Sequence, residues 1–241
     1  MSMPSTAGPE HTDDAARPVG TAFRLRVAVF ISGRGSNLQA LIDASAARDY
    51  PAEVVLVISN QPGAPGLDRA RQAGIPAITI ADPDRAAFAA RAAASLRDAN
   101  VELIALAGFM RILDVGFVET WCDRLLNIHP SLLPAFPGLH PERQALAAGV
   151  RFSGCTVHFV RPKVDTGPIV AQAVVPIHAD DDEERLAARI LEMEHRLYPL
   201  AVRLFAEGRL VIVGGRVSVA DWIAPEFAAL NPAEPLVRAG G

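Results

Sequence analysis

Residues 25–42, LRVAVFISGRGSNLQALI, carry the reading that decides the fold. Residues 25–31 are almost continuously apolar, with none of the polar alternation of a half-solvated strand. Such a run predicts a strand buried on both faces of a parallel sheet. Gly33-Arg34-Gly35-Ser36-Asn37 then makes a tight turn, and a helix is expected from about Leu38 to Ala47. The alternation continues with a strand at 54–59, a short helix ending at Gly74 and a strand at 75–80. A helix capped by Asp82 or Asp84 runs to about Asp98, and a fourth strand covers 101–107. Strand and helix in strict alternation predict an α/β fold, a mostly parallel sheet covered on both faces.

The pattern changes after residue 124. LLNI (125–128) reads as a short buried strand and 131–141 as a Pro-rich loop. Two further strands, 155–160 and 169–177, flank the loop RPKVDTGP. A long helix is expected from about Asp182 to Glu207, with Leu186, Ile190, Met193, Leu197 and Leu200 on one face. Gly214-Gly215 between two β-branched runs signals a hairpin. Residues 1–24 read as a disordered extension, 25–222 as a single domain and 223–241 as a loose tail.

Bulk properties narrow the function. The chain has 241 residues, a net charge of −4 and no basic run, so a phosphate-backbone footprint for nucleic acid is missing. No apolar stretch reaches the roughly 18–20 residues that span a bilayer. The N-terminal residues lack the apolar centre of a secretion signal, which makes the cytoplasm the expected location. Cys122 and Cys155 have no CxxC spacing and are expected to be buried, reduced thiols. His158, His178 and His195 show no ligand spacing, and no metal is expected.

Two constellations carry chemistry. In the turn, glycines let a ligand approach the backbone, and the N–H groups of the following helix start favour an anion. This reads as a phosphate site; a plain turn capped by Ser36 or Asn37 is the structural alternative. A dinucleotide site is excluded, because Leu38 stands where the third glycine belongs and Ser59-Asn60 replaces the ribose-binding acid. The second constellation is Asn127-Ile128-His129-Pro130. In an extended segment alternate side chains share a side, so Asn127 and His129 face one substrate together. A neutral donor beside a titratable ring suits acyl transfer; taken alone, a histidine such as His129 is more often a satisfied core residue than a catalyst.

SGRGSNLQALI, LAGFMRIL (106–113), NIHPSLLPAFPGLHPERQAL (127–146) and VHFVRPKVDTGPIVAQAVVPI (157–177), in this order, resemble the folate-dependent glycinamide ribonucleotide formyltransferases. The likeness spans about residues 25–213. It implies a Rossmann-like twisted sheet and the co-substrates glycinamide ribonucleotide and 10-formyltetrahydrofolate, in a monomer or homodimer. By position it implies Asn127, His129 and Asp165 as catalytic residues. Gly35, Ser36 and Asn37 would hold the substrate phosphate, and Glu194 its ribose. Met110, Arg111, Ile112 and Leu113 would line the pterin pocket, Asn127 would touch the formyl donor, and Arg85 would lie near the glutamate tail. Some relatives carry a Lys three positions before that Glu; here the position is Leu191.

The chemistry expected is direct attack of the substrate amine on the formyl carbon. Asn127 would donate to the tetrahedral oxyanion, His129 would pass a proton to the leaving nitrogen, and Asp165 would hold His129 charged, directly or through a water. Ser131 lacks a nucleophile-elbow context. A formyltetrahydrofolate hydrolase would need an added N-terminal regulatory domain, and a tRNA formyltransferase a basic RNA-binding one. A non-catalytic binding module would tolerate loss of the Asn/His/Asp set, which is intact.

Overall fold

The computed structural model describes residues 24–221 and residue 231. The expected extension and tail therefore lie outside the described residues, except for Arg24, whose guanidinium donates to the carbonyls of Ser45, Tyr50 and Ala52, and Asn231, whose Nδ2 donates to the carbonyls of Arg151 and Ile177. The elements follow in the order β1 (Leu25–Ile31), α1 (Ser36–Ser45), β2 (Ala52–Ser59), α2 (Pro65–Gln72), β3 (Ala77–Thr79) and α3 (Arg85–Asp98). After these come β4 (Leu103–Leu106), α4 (Val115–Thr120), β5 (Leu125–His129), α5 (Pro141–Ala148), β6 (Phe152–Phe159), β7 (Ile169–Pro176), α6 (Glu183–Ala206), β8 (Leu210–Val213) and β9 (Arg216–Val219).

β1 shows why an unalternating strand must sit mid-sheet. Val27, Val29 and Ile31 point into one core while Ala28 and Phe30 point into the other. All five are at most 1% exposed. The first core packs under α1, α2, α5 and α6, and the second under α3 and α4. The seven strands order as β3-β2-β1-β4-β5-β6-β7, parallel through β5 and antiparallel at β5–β6 and β6–β7. Strand order reverses between β1 and β4, so the loops leaving them diverge and open a crevice at their carboxyl ends.

Several expectations are corrected. α4 and α5 were not expected, and residues 141–148 leave the Pro-rich loop for a helix whose first position is Pro141. α1 begins at Ser36, with Gly35 at its N-cap and no side-chain cap, so neither Ser36 nor Asn37 plays the capping role. On α6, Leu200 is 48% exposed while Glu194 is buried in the apolar stripe. Cys155 is buried as expected, but Cys122 is exposed. The Gly214-Gly215 hairpin forms β8–β9 as read.

Candidate active site

The crevice at the switch point is a cleft of about 720 Å³. Its floor is the end of β4, the face of β5 and the loop after β6; its walls are residues 108–113 and 138–142. Asn127, His129, Asp165, Met110, Arg111, Ile112 and Leu113 all line it.

Antiparallel pairing of β5 with β6 sets the centre. The register places Asn127 opposite His158. Asn127 Nδ2 lies 3.2 Å from His158 Nε2, and His158 Nδ1 lies 3.0 Å from the Phe159 carbonyl. The carbonyl can only accept, so Nδ1 carries the proton and Nε2 offers its lone pair to the Asn127 amide. Burial pushes the His158 imidazole below its ordinary range, which keeps this neutral tautomer. One Asn127 N–H is thereby occupied, which fixes the amide and leaves the other N–H for the cleft. His158 entered the sequence reading only as a histidine without metal spacing. The signal that marks it, its cross-strand partner, exists only once the register is known.

His129 is 6% exposed. Its Nε2 is 3.0 Å from the Phe136 carbonyl and its Nδ1 is 3.6 Å from Asp165 Oδ2. Both ring nitrogens face acceptors, so a ring protonated at both positions has a partner for each N–H. Asp165 sits at φ 54°, a left-handed conformation an Asp tolerates, at the tip of the 160–168 loop. Its Oδ2 also accepts the Gly138 N–H at 2.8 Å and its Oδ1 is 3.7 Å from His158 Nε2. One carboxylate thus ties the 131–140 loop to His129, and it stands beside the neutral His158 without bonding it. Ser131 Oγ donates to the Ala135 carbonyl at 2.6 Å and is fully buried, a loop brace rather than a nucleophile.

The glycine turn flanks this centre. Tyr198 Oη lies within 3.2 Å of the Leu106 and Leu126 carbonyls, seating α6 beneath the ends of β4 and β5. One turn earlier on α6, Glu194 receives Asn37 Nδ2 at 2.7 Å. Burial pushes the Glu194 carboxyl up to about 7, against the lowering by Asn37, with Glu142 adding repulsion. Asn37 is 8% exposed, and its Oδ1 has no partner among the described residues. Gly35, Ser36, Asn37 and Glu194 are thereby gathered at one turn. Leu191 is half-buried on the same helix.

In the cleft wall, Met110 is 75% and Ile112 54% exposed, joined by Leu139 and Val164, two apolar residues that the sequence reading did not single out. A wet apolar wall of this kind fits a flat heteroaromatic ring. Ser32 Oγ accepts the Met110 N–H at 2.8 Å and donates to Asn60 at 2.6 Å, linking this wall to the glycine turn. Arg111 lies in the wall, but its guanidinium donates to the carbonyls of Asp82, Pro83 and Asp84 and covers the Phe88 ring. Arg85 is exposed at the start of α3, outside the cleft lining and next to the segment that Arg111 holds. Among the described residues, no group of three His, Cys, Asp or Glu side chains could hold a metal ion, and no helix is long and apolar enough to cross a membrane.

An open sheet covered on both faces, with a carboxamide, an imidazole and a carboxylate at its switch point, offers the donor and proton chemistry that group transfer needs. The chain belongs to the formyl transferase family, whose pattern matches residues 25–202. It is similar to the phosphoribosylglycinamide formyltransferase of Escherichia coli (strain K12), at 47% identity over 189 residues, covering 77% of this chain and 89% of the relative. It is also similar to the trifunctional purine biosynthetic protein adenosine-3 of Drosophila melanogaster, at 55% identity over 194 residues. That match covers 78% of this chain but only 14% of the relative, so the chain spans a small part of that protein. Among solved structures, the glycinamide ribonucleotide transformylase 1 of Symbiobacterium toebii superposes with a TM-score of 0.82 at 48% identity, covering 87% of this chain and all of that one.

Proposed function

We propose that the protein transfers the formyl group of 10-formyltetrahydrofolate to the amine of glycinamide ribonucleotide, a step of purine biosynthesis. One observation carries this reading: Asn127, His129 and Asp165 meet in a cleft with an apolar wall, and Ser32, the residue before the glycine turn, is hydrogen-bonded to that wall at Met110. The pterin would lie against Met110, Ile112 and Leu113, and Arg85, exposed at the start of α3, would meet the glutamate tail. The phosphate would sit on Gly35, Ser36 and Asn37, and the ribose hydroxyls on Glu194.

Attack of the amine on the formyl carbon makes a tetrahedral centre with a negative oxygen. Asn127 supplies a donor already oriented by His158, and one such donor is typically worth about 10²–10³ in rate. His129, held between Phe136 and Asp165, donates a proton to the departing N10 and is reprotonated by the proton the attacking amine sheds as the amide forms; help of this kind is worth about 10²–10⁴. The amine is itself the nucleophile, so no covalent enzyme intermediate and no metal are needed. Alignment of both substrates across the switch-point crevice supplies the remaining advantage.

The test is an assay with both substrates that follows tetrahydrofolate formation. Formylated product in step with tetrahydrofolate supports transfer. Release of formate at the same rate without the amine acceptor would overturn it in favour of hydrolysis.

A further inference from the structure

The glycine turn has a second wall behind it, built by α2. Gly66 N–H donates to the Gly33 carbonyl at 3.1 Å. Arg69 Nε donates to the Arg34 carbonyl at 2.9 Å, and its Nη1 reaches Gln39 Oε1 at 3.3 Å. Two consecutive carbonyls of the turn are therefore drawn to the α2 side. In a trans peptide the carbonyl and the following N–H point in opposite directions. The N–H groups of Arg34 and Gly35 are thus turned away from α2, and neither has a partner among the described residues. Close approach makes this possible. A Cβ on Gly35, which sits at φ +71°, would lie 2.8 Å from Gly66 Cα. A Cβ on Gly66 would lie 2.5 Å from Ile31 Cδ1.

A second sign marks the turn as built for a ligand that brings a hydrogen-bond donor, such as the hydroxyls or amine of the substrate, beside its phosphate. The Asn37 side chain is buried there with its Nδ2 committed to Glu194 and its Oδ1 unpartnered. On α6, the position where some relatives carry a Lys holds Leu191, an uncharged side chain. Arg34 stands exposed in the turn itself, and the guanidinium of Arg69 lies directly behind it on the Arg34 carbonyl.

We propose that α2 is the brace that presets the anion turn, and that Arg69 is a positioning residue for the phosphate of the substrate. Arg69 holds the Arg34 carbonyl back so that the N–H of Gly35 faces the ester. Its charge, half-buried one peptide behind the turn, supplies the countercharge that position 191 lacks. The proposal rests on the phosphate assignment made above and adds which residues outside the turn make it competent.

The experiment compares wild-type, Arg69→Gln and Arg69→Lys proteins. KM for glycinamide ribonucleotide, KM for 10-formyltetrahydrofolate and kcat are measured, with inhibition by inorganic phosphate and turnover of the dephosphorylated acceptor, glycinamide riboside. Loss of one charge-assisted hydrogen bond predicts that R69Q raises KM for the ribonucleotide and Ki for phosphate each about tenfold. The loss falls on KM for that substrate, not on KM for the folate, and R69K recovers part of it. Turnover of the riboside is the same in wild type and R69Q, since no phosphate is there to feel the brace. Equal loss on both acceptors, or an unchanged phosphate Ki, overturns the proposal. Calorimetric titration of inorganic phosphate into the same three proteins separates the two readings. If wild type fails to formylate the ribonucleotide yet R69Q still weakens phosphate binding, the transfer reading falls and the brace stands.

Discussion

The two flanks of the cleft are built by different means. The glycine turn presents backbone N–H groups, braced from behind by α2 and from the side by Glu194 of α6. The transfer centre presents side chains from β5, β6 and the 160–168 loop, joined only by sheet register and loop contact. A backbone site tolerates side-chain change but not a new Cβ; a side-chain site fails when any member is removed. This difference predicts where a mutation shows, in substrate affinity on one flank and in turnover on the other.

The sharpest break should come at His129. His129→Ala is expected to lower kcat by about 10²–10⁴, with both ligands still bound by calorimetry. Retained turnover would remove the proton role. Asn127→Ala should cost about 10²–10³ in kcat with little change in either KM. A mainly KM effect there would mean the residue grips substrate rather than transition state. Replacing His158 by Phe leaves the Asn127 amide without its anchor and should lower kcat by about tenfold, the worth of one ordinary buried hydrogen bond. If His158→Phe matches wild type, Asn127 needs no cross-strand partner.

The smallest effect lies on the turn side and depends on pH. Glu194 titrates at about 7 in the folded protein against an ordinary 4.5. As pH rises through 7 the carboxylate forms and can accept ribose hydroxyls, so KM for the ribonucleotide should fall several-fold from pH about 6 to about 8. Glu194→Gln should flatten that trend and leave kcat nearly intact. The stability sign is opposite. Between pH 4.5 and about 7 the folded state keeps a proton that the unfolded chain releases, so stability drops across that window and stays lower above it. Glu194→Gln should therefore raise Tm near pH 8 and not near pH 4, as thermal unfolding would show. No Tm gain at the higher pH would mean the carboxylate is better solvated than its burial implies.

Local signals were legible where the chain speaks to its near neighbours. β1, the glycine turn, the Asn127/His129 pair and the hairpin all rest on spacings of one to four residues. α5 was within reach as well: Pro141 at a first helical position is a start signal, but the surrounding prolines read as loop. α4 is six residues long, too short for a helical period to emerge. Glu194 reads as a surface charge on a helix rich in Glu and Arg, because its neighbour Asn37 is 157 residues away in sequence.

What the chain determined alone is its alternation of strand and helix and the residue types at each turn, since periodicity and glycine sterics act over a few bonds. What only the tertiary structure decided is who meets whom. His158 faces Asn127 because β6 pairs antiparallel with β5 in one register, and a shift of a single residue would turn it to the other face. Arg69 grips the glycine turn because α2 packs Gly66 against Gly35. Such pairings depend on burial summed over the whole sheet, a quantity no local stretch of residues contains.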